Sequence, residues 1–105
     1  MALAITDQNW EELVKNNSYV IMDFWAEWCG PCRAIAPFVE KAAEIYKDRV
    51  CIGKINIDEN VNVTMKFNIK NIPTLLFIKN GELVDKHVGA LREADLMNKI
   101  EAFIK

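Results

Sequence analysis

The chain has 105 residues, 51% hydrophobic and 27% charged, which fits one globular domain over residues 1–105 with an adequate apolar core. A formal net charge of −2 argues against nucleic-acid binding, which needs clustered Lys and Arg. No apolar run approaches the roughly 18 residues of a membrane span, the first residues lack a signal-peptide pattern, and three cysteines are too few for a disulfide scaffold, so the expectation is a cytoplasmic protein whose disulfide chemistry is transient.

Thr6-Asp7-Gln8-Asn9 is a polar start signal. Trp10, Leu13 and Val14 follow at i, i+3 and i+4, which predicts a first helix capped by Asn9, with Glu12 three residues on and Asn16-Asn17-Ser18 at its end. A short strand near Leu3 fits ahead of it. Residues 19–25, Tyr-Val-Ile-Met-Asp-Phe-Trp, read as a strand buried on both faces. Residues 32–46 read as an amphipathic helix with Ile35, Phe38, Val39, Ala42, Ile45 and Tyr46 on one side. Pro37 lies inside it and predicts a kink, because proline removes a donor and crowds the preceding turn. After the polar turn Lys47-Asp48-Arg49, residues 51–57 form another strand, ended by Asp58-Glu59-Asn60, and residues 61–67 a short helix. Strands at 74–78 and 83–88 flank Asn80-Gly81, whose tolerance of positive φ suits a type I′ turn and makes the pair an antiparallel hairpin. Gly89-Ala90 breaks the chain, and Ala94, Met97, Ile100, Phe103 and Ile104 line a last helix. The order predicts an α/β fold. A right-handed parallel crossover opens a mixed sheet, an antiparallel hairpin closes it, and helices cover both faces.

Cys29-Gly30-Pro31-Cys32 lies where the 19–25 strand gives way to a helix. That junction puts Cys29 at a helix N-terminus, where unpaired N–H groups and the helix dipole favour a thiolate. Cys29 is the candidate nucleophile. Cys32, about one turn further in, is the candidate resolving thiol that attacks a mixed disulfide on Cys29. Gly30 and Pro31 shape the loop, and Pro31 suits a first helical turn. The alternative is zinc, which needs two more ligands; only Cys51 and His87 are available, on separate strands.

Asp23 stands within an apolar strand, where a charge is costly to bury. It is either a polar residue at a strand end or bulge or a buried carboxyl with a raised pKa, able to take the Cys32 proton and return it. Lys54 on the next strand is its candidate partner or an ordinary solvated lysine. Pro73 is either a permitted edge proline or, if cis, a locked turn exposing backbone beside the sulfurs. Cys51 reads as a small buried hydrophobe with a regulatory thiol as the minor alternative. His87 reads as structural or surface, and Trp25 as core. Trp28 is an exposed aromatic for target contact or another packed ring.

Asp23-Phe24-Trp25-Ala26-Glu27-Trp28-Cys29-Gly30-Pro31-Cys32 resembles the thioredoxin family. The likeness extends through Lys54-Ile55-Asn56-Ile57-Asp58, Ile72-Pro73-Thr74-Leu75, Asn80-Gly81 and Val88-Gly89-Ala90, in family order over nearly the whole chain. It implies a monomeric thioredoxin fold and a protein-disulfide reductase. Cys29 would be the attacking thiol, Cys32 the resolving thiol, Asp23 the buried carboxyl, Lys54 its neighbour, Pro37 the helix-kinking proline and Pro73 the cis-proline. Trp28, Gly30, Pro31, Ile72, Pro73, Gly89 and Ala90 would form the flat surface that receives disulfide-containing substrate proteins. The likeness implies no bound cofactor. Reducing equivalents would come from NADPH through a flavoprotein thioredoxin reductase, or from a ferredoxin-linked enzyme. Arg33 stands where Lys is frequent, keeping the charge, and Asn71 where small residues are usual, at the docking rim. Pro31 rather than His before Cys32 leans towards a reductant by the same resemblance. Glu27 and Asp23, by their negative charge, also disfavour a very acidic Cys29. A secretory isomerase or oxidase and a non-enzymatic docking module are the competing readings.

Overall fold

The computed structural model describes residues 2–105. Nine elements follow in order: β1 (Leu3–Ala4), α1 (Trp10–Asn16), β2 (Tyr19–Trp25), α2 (Gly30–Ile45), β3 (Cys51–Asn56), α3 (Val61–Lys66), β4 (Thr74–Lys79), β5 (Glu82–Val88) and α4 (Glu93–Phe103). The strands form one sheet in the order β1-β3-β2-β4-β5. β1 and β2 run parallel to β3, while β4 runs antiparallel to both β2 and β5. The mixed sheet expected from the sequence is therefore present, with β2 at its centre.

Strand periodicity sorts the core into two layers. Val20, Met22 and Phe24 of β2 point one way and pack with Ile55, Val63, Leu76 and Ile78, while Trp10, Leu13 and Val14 of α1 close over them. Ile21 points the other way and packs with Ile35, Val39 and Ala42 of α2 and with Leu96 and Ile100 of α4. Each such side chain contributes about 1.5–3 kcal/mol on burial, which is why the helices lie flat on the sheet. Gly53 lets β1 approach: a Cβ there would lie 2.9 Å from the Leu3 carbonyl oxygen and would collide with Ile5. Asn80 and Gly81 both have positive φ, 51° and 82°, as the hairpin turn requires.

Two local expectations change. Asn9 occupies the N-cap position of α1, but its ψ of −10° is helical rather than extended and its side chain caps nothing. Asn9 Oδ1 instead accepts the Thr6 N–H at 2.8 Å. The chain turns earlier, with Thr6 Oγ1 accepting the N–H groups of Gln8 and Asn9 at 3.2 Å each. α2 begins at Gly30, two residues before the apolar period, because Gly30 and Pro31 occupy its first turn; it continues through Pro37 to Ile45.

Candidate active site

β2 delivers its C-terminal end to the N-terminus of α2, and the four residues between, 26–29, set the site. Cys29 is the N-cap of α2, with extended backbone (φ −93°, ψ 105°). Its Sγ accepts the Cys32 N–H at 3.1 Å, so the sulfur takes one of the unpaired donors that open the helix. Such a donor and the aligned peptide dipoles stabilise negative charge on that sulfur. Cys29 and Cys32 are joined as a disulfide, their Cα atoms 5.3 Å apart. Both are buried together with Ala26, and Trp25, Ile57 and Ile72 pack against them. Gly30 and Pro31 are exposed beside them.

Pro73 follows a cis peptide bond after Ile72. Its carbonyl accepts the Gly89 N–H at 2.8 Å, which ties the Gly89-Ala90 loop to the segment packed on the cysteines. Trp28 is 66% exposed, yet it is oriented: its indole Nε1 donates to Asp58 Oδ2 at 2.9 Å. Trp25 is half-buried rather than part of the deep core, and the Lys54 ammonium lies 4.8 Å from its ring centroid. Asn71 is exposed, its carbonyl accepting from the Thr74 hydroxyl at 2.6 Å. Arg33 donates to the Glu27 carbonyl at 2.9 Å.

Asp23 is 1% exposed in regular β2, paired with Lys54 in the parallel register and with Leu75 across β4. The bulge reading therefore fails, and the carboxyl is buried. Its Oδ1 is buried without a hydrogen-bond partner among the described residues. Burial pushes its pKa up to about 7; the Lys54 charge pulls it down and the Glu40 charge pushes it further up. Lys54 is not ion-paired to Asp23. Its Nζ lies 3.9 Å from Glu40 Oε2.

Cys51 and His87 stay away from the sulfur pair. Cys51 is a half-buried free thiol at the opposite end of the sheet, where burial raises its pKa. His87 is on the outer strand β5, with Nε2 buried and unpartnered among the described residues. Among the described residues no group of three or more His, Cys, Asp or Glu side chains is placed to hold a metal ion, and no helix is long and apolar enough to cross a membrane. Neither Glu40 nor the bond that the Trp28 indole donates to Asp58 was marked by its residue type alone. Glu40 had one signal, since it falls at i+8 from Cys32 and so on the same stripe of α2.

A cysteine pair bridged at the N-terminus of a helix, with a buried carboxyl in the strand that leads to it, is the arrangement of a thiol–disulfide oxidoreductase site. The family model described as thioredoxin matches residues 1–102. The chain is 42% identical over 100 residues to a thioredoxin of Chlorobaculum thiosulfatiphilum, covering 94% of this chain and 93% of that protein. It is 42% identical over 102 residues to thioredoxin 1 of Synechococcus elongatus, covering 96% and 95%. It is 45% identical over 101 residues to the chloroplastic M-type thioredoxin of Pisum sativum, covering 95% of this chain and 59% of that longer protein. The chain belongs to the thioredoxin family, whose members are protein-disulfide oxidoreductases, and the cysteine pair for that chemistry is in place.

Proposed function

We propose that the chain is a general reductant of protein disulfides, acting as one unit over residues 1–105. The Cys29 thiolate attacks one sulfur of a target disulfide; a new S–S bond forms to Cys29 and the second target sulfur leaves as a thiolate. Asp23 accepts the Cys32 proton, and the Cys32 thiolate attacks Cys29 Sγ. The mixed disulfide breaks, the target leaves as a dithiol, and this chain is left with the Cys29–Cys32 bond. Reduction reverses the proton traffic, with Asp23 returning its proton to Cys32. The observation that carries this reading is the Cys32 N–H donated to Cys29 Sγ at the opening of α2, which favours charge on the outer sulfur.

Trp28, Ile72, Pro73, Gly89 and Ala90, with Gly30 and Pro31, form the surface on which targets settle, and Lys54 modulates Asp23. The chain acts as a monomer, in the cytoplasm, where reducing power keeps the pair open. It is recharged from NADPH by a flavoprotein thioredoxin reductase or by a ferredoxin-linked enzyme. Support for these points is the family membership and the low cysteine content.

The test pairs two variants with a titration. Cys32→Ser should hold a target protein on Cys29 as a stable, thiol-reversible adduct, and Cys29→Ser should form none and reduce nothing. The wild-type pair should equilibrate near −270 mV, the figure established for thioredoxin itself rather than derived from this site. A potential about 100 mV higher would identify an oxidant, and full biological function in a Cys29→Ser, Cys32→Ser double variant would identify a docking module.

A further inference from the structure

Lys54 faces two carboxylates and reaches the one nearer the surface. In the β2–β3 register it lies directly across from Asp23. Its ammonium nevertheless sits 3.9 Å from Glu40 Oε2 on α2 and against the Trp25 ring, while Asp23 Oδ1 is left without a partner among the described residues. Glu40 is itself held in place. Its Oε1 accepts the backbone N–H of Ala2 at 2.6 Å, across 38 residues of sequence. The segment leading into β1 therefore fixes one carboxylate oxygen, and the other is turned to the lysine.

We propose that Glu40 is a positioning residue of the exchange reaction: anchored by Ala2, it holds the Lys54 ammonium off Asp23 and so keeps Asp23 able to carry a proton. The kinetic consequence rests on Asp23 being the proton acceptor for Cys32. The electrostatics agree in sign, since the Glu40 charge raises the Asp23 pKa and the Lys54 charge lowers it. Around Asp23, β3 brings Lys54 and β4 brings Leu75 in register, and α2 brings the Glu40 charge. Further out on this side lie His87 and Asp85 of β5, Lys99 of α4 paired to Asp85, and Tyr46 bonded to Glu101. α4 itself packs Leu96 and Ile100 into the layer.

Glu40→Gln removes the charge and keeps an acceptor for the Ala2 N–H. The Asp23 carboxyl is followed by carbon-13 NMR against pH in the full chain. In Glu40→Gln both the freed lysine and the lost negative charge favour ionised Asp23, so its titration should fall by about half a pH unit or more. Glu40→Asp, which keeps the charge, should stay nearer wild type and guards against a folding defect in the Gln variant. In a Lys54→Met background, Glu40→Gln should move the titration much less. An unmoved Asp23 titration in folded Glu40→Gln overturns the proposal, as does an undiminished shift without Lys54. The pH profile for resolution of a Cys29 mixed disulfide should move to lower pH with the titration. If the carboxyl moves and the profile does not, the proton role of Asp23 falls while the hold of Glu40 on Asp23 stands.

Discussion

Beneath α1 and α3 the sheet presents Val20, Met22, Phe24, Ile55, Leu76 and Ile78, all buried and all apolar. Beneath α2 and α4 it presents Ile21, Ile52, Leu75 and Phe77, but also Asp23, with Lys54 and Glu40 at the edge of the layer. β2 supplies both sets by simple alternation, so neighbouring residues of one strand serve opposite ends. Phe24 meets Phe67 at a ring separation of 6.3 Å, and Phe67 in turn meets Trp10 at 5.3 Å. One position earlier, Asp23 places an unpaired carboxyl oxygen in an equally dry setting. The first layer is wholly apolar; the second carries a buried titratable group at a cost in stability.

Emptying the apolar layer should have the largest effect. Phe24→Ala is expected to lose about 3–5 kcal/mol, from lost burial plus an unfilled cavity. Urea denaturation measures the loss, and exchange activity per folded molecule should hardly change. If activity per folded molecule collapses, the two layers are not separable.

Asp23→Asn tests the other layer and should act in the opposite direction. The folded-state pKa of about 7 lies above the ordinary 3.8, so the native protein holds this proton more tightly than the unfolded chain. The stability from that proton is complete below about pH 4 and is lost as pH rises through 7, a loss on the order of 4 kcal/mol by pH 8. Asp23→Asn should therefore be more stable than wild type at pH 8, by up to that amount, and should converge with it near pH 4. It should also exchange more slowly. A stability difference that does not change with pH would mean that Asp23 does not titrate in this range.

A smaller effect is expected at Gly53, where a methyl group meets Ile5 and the Leu3 carbonyl. Gly53→Ala should cost about 1–3 kcal/mol through overpacking. It should also loosen amide-exchange protection in β1 before β2, whereas simultaneous loss in both strands would show that β1 is not a separate layer edge.

Most elements were legible because their signals are local. The 19–25 strand, the Asn80-Gly81 turn and the helix after the cysteines each announce themselves within about a dozen residues. The lateral order β1-β3-β2-β4-β5 did not, since alternation tells which face a residue takes and not which strand lies beside it. β2 and β4 pair across 50 to 60 residues of sequence. The cysteine pair and Asp23 were conspicuous, one by spacing and the other by being charged in an apolar run. Pro73 was conspicuous too, but its isomer followed only from family likeness. Glu40 and Asp58 were not, because an acidic residue on a helix or in a turn looks solvated until the fold sets Lys54 or Trp28 against it. Asn9 does occupy the cap position of α1, but its side-chain oxygen is taken by the Thr6 N–H, a contact set by the backbone turn that starts at Thr6.

Cys29 is 5% exposed and Cys32 3%, while Trp28 next to them is largely exposed. In the proposed reaction an incoming protein thus touches the indole before it touches sulfur. Encounter and electron transfer become separate events, and the first can sort clients before the second begins. On that reading, a client that cannot bring its sulfur past the indole to Cys29 is not reduced. Shape then filters what thermodynamics alone would allow.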